Sequence, residues 1–182
     1  MTTTSQTTAS QTTASQTIGP FWHLLEDKSW ADLTRFGAVG EVISVSGRVL
    51  DGGGAPMSDA CVEIWQASPT RSDVFPGFGR SATDAQGRYA FKTIMPGAVP
   101  MVGAGNSWQA PHFAVTIFAR GLLFHLMTRC YVAEGAALAE DPVLGMVAPE
   151  RRATLVARCR APGDWVLDFH MQGALETVFF EI

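Results

Sequence analysis

The chain has 182 residues, 47% of them hydrophobic and 16% charged, a net charge of -4 and a pI of about 5.5. That length suits one domain with a sizeable core, and the acidic balance excludes the basic footprint of a nucleic-acid binder. No apolar run approaches membrane-spanning length and no charged n-region with an apolar h-region opens the chain, so no membrane partner and a cytoplasmic location are expected.

Residues 1–16 are a low-complexity stretch built on TTxSQ repeats. It holds no large apolar side chain after Met1, so burial cannot offset its ordering entropy, and a disordered tail is expected. Bulky residues return at Ile18-Gly19-Pro20-Phe21-Trp22, and residues 17–182 read as one domain. Trp30–Leu33 predicts a short helix. From there strand signals dominate. Glu41–Leu50 is β-branched and partly alternating, and Asp51-Gly52-Gly53-Gly54 is a hairpin-type turn. Ala60–Gln66 places Val62 and Ile64 on one face, with Cys61, Glu63 and Trp65 on the other. Asp84–Gly87 turns the chain into a strand over Arg88–Ile94, stopped by Pro96-Gly97.

A glycine-rich loop, Gly97–Ala110, precedes two apolar strands, Pro111–Ala119 and Leu122–Val132. Asp141–Val147 reads as irregular. Pro149 opens a short helix through Ala157. Asp164–Gln172 alternates, with Trp165, Leu167, Phe169 and Met171 facing one way, and Glu176–Ile182 reads as a terminal strand. Many short strands punctuated by turns, with little helix, predict an all-β, two-sheet β-sandwich with short peripheral helices.

The chemistry-bearing residues are sparse. His23, His112, His125 and His170 show no HxH, HxxxH or HExxH spacing, and neither a GxSxG nor a phosphate-binding loop occurs. His112, at the start of an apolar strand after a loop, is the best-placed single ligand, although a lone histidine is more often structural. His125 and His170 read as structural, and His23 as a partner contact. Arg120 ends a neutral strand. It is either half of a surface pair worth little or a fork aimed at an anionic ligand. Cys61, Cys130 and Cys159 read as buried free thiols.

Motifs in fixed order carry a resemblance. They are SQTIGPF at Ser15–Phe21, GRVLDGGGAPMSDACVEIWQA at Gly47–Ala67, Gly79-Arg80 with Thr83-Asp84 and Gly87, and Phe91–Ile94 with Pro96-Gly97. Gln109–His112, Phe118–Gly121, Gln172-Gly173 and Glu176–Phe180 complete the set. With them the chain resembles the intradiol ring-cleavage dioxygenases over nearly its whole length after the tail. The resemblance implies a β-sandwich and a reaction in which O2 and ferric iron open a catecholic ring between its two hydroxyls. It also implies an iron site of two Tyr phenolates and two His.

Here that ligand set is depleted. Val99 stands at one phenolate position, the stretch from Gln66 to Phe78 has no Tyr for the other, and the second His of the pair is Ala114. Only His112 survives, as a vestigial ligand position. Tyr89 and Tyr131 match no ligand position, and Gln109 replaces an Arg of the catalytic chain. The resemblance therefore implies an iron-free member of a two-chain enzyme, inactive alone and assembled into a hetero-oligomer. Its homologous β partner would hold Fe(3+) and act on 3,4-dihydroxybenzoate (protocatechuate) and O2, giving 3-carboxy-cis,cis-muconate. Thr17, Gly19, Pro20 and Arg120 would line the partner's pocket in trans. Competing readings are a catalytic chain with unfamiliar ligands, a relative acting on another catechol such as hydroxyquinol, and a non-enzymatic β-sandwich binding module.

Overall fold

Alternation in VISVSGRVL buries Ile43, Val45 and Val49 and leaves Val42, Ser44 and Arg48 exposed, which makes Val42–Leu50 (β1) the central strand of a first sheet. The computed structural model describes residue 19, residues 22–103 and residues 107–181. The expected disordered tail lies outside them, as do Thr17 and Pro20. The remaining strands are β2 (Cys61–Trp65), β3 (Phe78–Ala82), β4 (Arg88–Ile94), β5 (Val99–Pro100), β6 (Trp108–Gln109), β7 (His112–Phe118), β8 (Leu126–Tyr131), β9 (Arg158–Ala161), β10 (Asp164–Val166) and β11 (Phe169–His170).

On one side of β1 lies β4, antiparallel, with Val45 opposite Phe91. On its other side β10 and β11 pair in parallel, Val45 with Trp165 and Val49 with Phe169. The second sheet is antiparallel throughout, in the order β3-β2-β7-β8. The faces turned toward each other carry Ile43, Val45, Val62, Ile64, Phe91, Phe113, Val115, Ile117, Trp165 and Phe169, all buried in one core cluster. Two sheets closed over one core make the expected β-sandwich.

Tyr89 ties the first sheet together. Its ring stacks on Phe169 at 5.4 Å and its hydroxyl donates to the Leu167 carbonyl at 2.7 Å. Glycine at position 47 leaves room for this, since a Cβ there would overlap the Leu167 carbonyl oxygen. Helices are short and peripheral: α1 (Ala136–Ala139), α2 (Pro142–Met146), and 3-10 turns at Trp22–Leu25, Lys28–Ala31 and Pro149–Leu155. Among the described residues, no helix is long and apolar enough to cross a membrane.

Several expectations are corrected. The Asp51–Gly54 turn does close back, with Met57 N donating to Val49 O at 2.9 Å, but the chain then crosses into the other sheet. The helix expected over Trp30–Leu33 ends at Ala31, because Leu33 N bonds Lys92 O of β4 at 2.8 Å and its side chain enters the core. Trp165, Leu167, Phe169 and Met171 are buried as read. Their strand is nonetheless broken, since Asp168 Oδ1 takes the Arg48 N–H at 2.8 Å where a ladder bond would run.

Asp141–Val147 is not irregular but contains α2, started by the Asp141 carboxylate. Over Glu176–Ile182 the described residues form only one bridge, Phe180 with Met127, because Thr128 Oγ1 and Thr154 Oγ1 bond the Val178 backbone in place of a ladder. Cys61 and Cys130 are buried free thiols, whereas Cys159 is exposed on edge strand β9. His125 precedes its strand and packs on Phe118, with ring centroids 5.5 Å apart.

Candidate functional site

Arg120, the candidate pocket residue whose side chain the structure describes, lies where β2 and β7 run out of the sheet. These strands pair antiparallel with Cys61 opposite Phe118, and the same register carried two residues outward sets Asp59 opposite Arg120. The Asp59 carboxylate pairs with Arg120 Nε at 2.6 Å. The two side chains are unequally exposed, 69% for Arg120 and 16% for Asp59. Neither terminal nitrogen of the guanidinium has a partner among the described residues, so the fork faces outward.

The loop carrying Asp59 is rigid for a local reason. Buried Thr83 donates from Oγ1 to the Met57 carbonyl at 2.6 Å and accepts from Ala60 N at 3.0 Å, bracketing the two residues between. The N-terminal segment is fastened at the same place. Trp22 Nε1 donates to the Asp59 carbonyl at 3.2 Å, and the Glu26 carboxylate takes the Ala82 N–H at 2.7 Å. Gly19, at φ 79°, holds the left-handed backbone that glycine adopts without penalty. The structure thus brings Arg120 and the Trp22 indole to the same residue, Asp59.

Around His112 the donors are wrong for ferric iron. Its Nδ1 lies 2.7 Å from the Ala110 carbonyl, which can only accept, so Nδ1 carries the proton and Nε2 the lone pair. Burial holds this imidazole below its ordinary value. Arg129 pushes the same way, while the Ala110 bond and Asp141 oppose it. Ala114, on the same face as His112, lies opposite Arg129 in the β7–β8 ladder, so a fixed cation faces the position of the missing second histidine.

Neither tyrosine supplies a phenolate. Tyr131, directly opposite His112, donates to Asp141 Oδ1 at 2.9 Å and accepts from Arg129 Nη1 at 3.2 Å. Burial raises its phenol above the ordinary range, as it does for Tyr89, which is spent on the Leu167 carbonyl. The site offers one neutral imidazole beside a guanidinium, a set that does not fit ferric iron. Among the described residues, no three His, Cys, Asp or Glu side chains are grouped to hold a metal ion. The thiols add nothing, since burial pushes Cys61 and Cys130 up to about 12.

Two further surfaces stand out. Trp65, exposed on the outer face of the second sheet next to Ala114, packs on Phe78 at 4.4 Å, and Phe78 meets Trp30 at 5.7 Å. Exposed aromatic clusters of this kind are enriched at protein–protein interfaces. An open cleft of about 920 Å³, lined by Arg48, Arg88 and Arg158 among others, contains neither Arg120 nor His112. Asp59 and Asp141 escaped the reading of the sequence. For Asp59 a signal existed: both strands were legible, and pairing Cys61 with Phe118 brings it to Arg120.

A family model described as dioxygenase matches residues 25–173. The protocatechuate 3,4-dioxygenase alpha chain of Burkholderia cepacia is 43% identical over 162 residues, covering 80% of this chain and 79% of that one. The beta chain from the same organism is 37% identical over 133 residues, covering 66% of this chain and 57% of the other. Among solved structures, the dioxygenase domain of a dioxygenase carbohydrate-binding protein fusion from Streptomyces sp. SirexAA-E superposes with a TM-score of 0.59. Its sequence is 25% identical, and the match covers 79% of this chain and 88% of that chain.

Proposed function

This chain belongs to the dioxygenase family whose model it matches, and from that premise we propose that it is the iron-free α subunit of a protocatechuate 3,4-dioxygenase. Its similarity to an alpha chain over most of both sequences supports the α assignment. The observation that carries the iron-free part is the state of the donors at the vestigial site. Both phenols are protonated and engaged, and a cation faces the position of the second histidine.

The family is iron-dependent. In this reading the metal is held by a homologous β subunit, where it supplies the chemistry that inserts both atoms of O2 and opens 3,4-dihydroxybenzoate to 3-carboxy-cis,cis-muconate. This chain closes the pocket. Thr17, Gly19 and Pro20 wall it and exclude water, and Arg120 turns its exposed fork toward the negative charge of the bound carboxylated catecholate. Docking of the β subunit over the Trp65, Phe78 and Trp30 cluster would bury that exposed aromatic surface. Three free thiols suit a reducing, cytoplasmic setting.

Expression with and without a β-type partner tests the reading. Protocatechuate-dependent O2 uptake and near-stoichiometric iron are expected only in the co-expressed complex. Iron and O2 uptake in the lone chain would overturn it.

A further inference from the structure

We propose that Asp59 is a positioning residue that aims Arg120 into the partner's pocket; the inference rests on the trans role of Arg120. Its carboxylate holds Arg120 by Nε at 2.6 Å, which leaves the terminal nitrogens without a partner among the described residues and turned outward. Its backbone carbonyl accepts from Trp22 Nε1 at 3.2 Å. One residue therefore contacts both the guanidinium and the Trp22 indole.

Its own place is imposed by the sheet. The ladder register puts it opposite Arg120, and Thr83 clamps Met57 on one side and Ala60 on the other. An arginine side chain left free samples many rotamers, whereas one held at Nε presents its fork in a narrow range of directions. An exposed ion pair adds little to folding stability, so the value of this pair lies in aim.

The test is a double-mutant cycle in the co-expressed complex, read as kcat and KM for protocatechuate with iron content and assembly mass alongside. Asp59→Asn keeps the backbone carbonyl and removes the charge. We expect it to lower kcat/KM roughly ten-fold, the scale of freeing one arginine side chain, with iron and mass unchanged. In an Arg120→Ala background it should cost nothing further, and Asp59→Glu should restore most of the loss.

Additive losses from Asp59→Asn and Arg120→Ala would overturn the proposal. So would full activity of Asp59→Asn beside an impaired Arg120→Ala, and in that case the trans role of Arg120 would survive. Full activity of Arg120→Ala would instead remove that role, and this inference with it. If Asp59→Asn does not assemble, Asp59→Ser, which also keeps the backbone carbonyl and removes the charge, carries the same cycle.

Discussion

Replacing Asp141 with alanine should be among the most damaging single changes outside the hydrophobic core. Its buried carboxylate accepts four hydrogen bonds, from Ala110 N at 2.7 Å, Tyr131 Oη at 2.9 Å, Val143 N at 2.9 Å and Leu144 N at 2.7 Å. The last two cap α2, and losing a cap costs about 1 kcal/mol. The Ala110 amide and the Tyr131 hydroxyl are buried where water does not replace the lost acceptor, at about 1.5 kcal/mol each. Together these give a loss of about 4 kcal/mol.

For a chain of this size that corresponds to a fall in Tm of about 12 °C. Urea unfolding of the purified chain measures the free energy and a thermal scan the Tm. Tyr131→Phe, which removes that donor and the Arg129 bond to it but leaves the three backbone bonds to Asp141, should cost about 1 kcal/mol. A loss below about 1.5 kcal/mol for Asp141→Ala, or equal losses for the two variants, would refute the view that this carboxylate organises the region around His112.

Other consequences follow from the same packing. Gly47→Ala should lose more than about 3 kcal/mol, because its methyl overlaps the Leu167 carbonyl. Gly145→Ala in α2 meets open space and should gain up to about 1 kcal/mol from helix propensity; urea midpoints compare the two. The lowered His112 value also makes stability pH-dependent. Below the ordinary imidazole value of about 6.5, the unfolded chain takes up a proton that the folded chain refuses. The contribution of His112 is therefore present above that value and lost as pH falls through the folded one, at up to about 1.4 kcal/mol per pH unit. His112→Gln should flatten the stability profile between pH 7 and pH 5, and an unchanged profile would show that the ring is not held neutral.

Much of the architecture was legible because strand periodicity is local. Val62 and Ile64 face the core and Trp65 faces out, as their alternation requires, and the four apolar residues from Trp165 to Met171 are all buried. The depletion of phenolate positions was legible for a similar reason, since a residue type at a motif position can be read without coordinates. Phe78–Ala82 was not legible as a strand, because Gly79 and Arg80 give it little strand propensity. What seats it is Leu33, packed where a Cβ on Gly79 would stand.

What only the tertiary structure decided lies between residues distant in the chain. β1 accepts β10 and β11 in parallel at a separation of 120 residues, which no local pattern encodes. Asp141 looked like part of an irregular stretch, and only folding brings Ala110 and Tyr131 to it. Arg120 was visible as a lone charge in a neutral strand, but its orientation depends on Asp59, which the β2–β7 register sets opposite it. The sequence by itself determined the strand faces and which ligand types are missing, because both are properties of single positions and near neighbours. The register determined the partners of Arg120, Tyr131 and His112, because hydrogen bonds and ion pairs act over a few ångströms and only the closed sandwich brings those groups within reach.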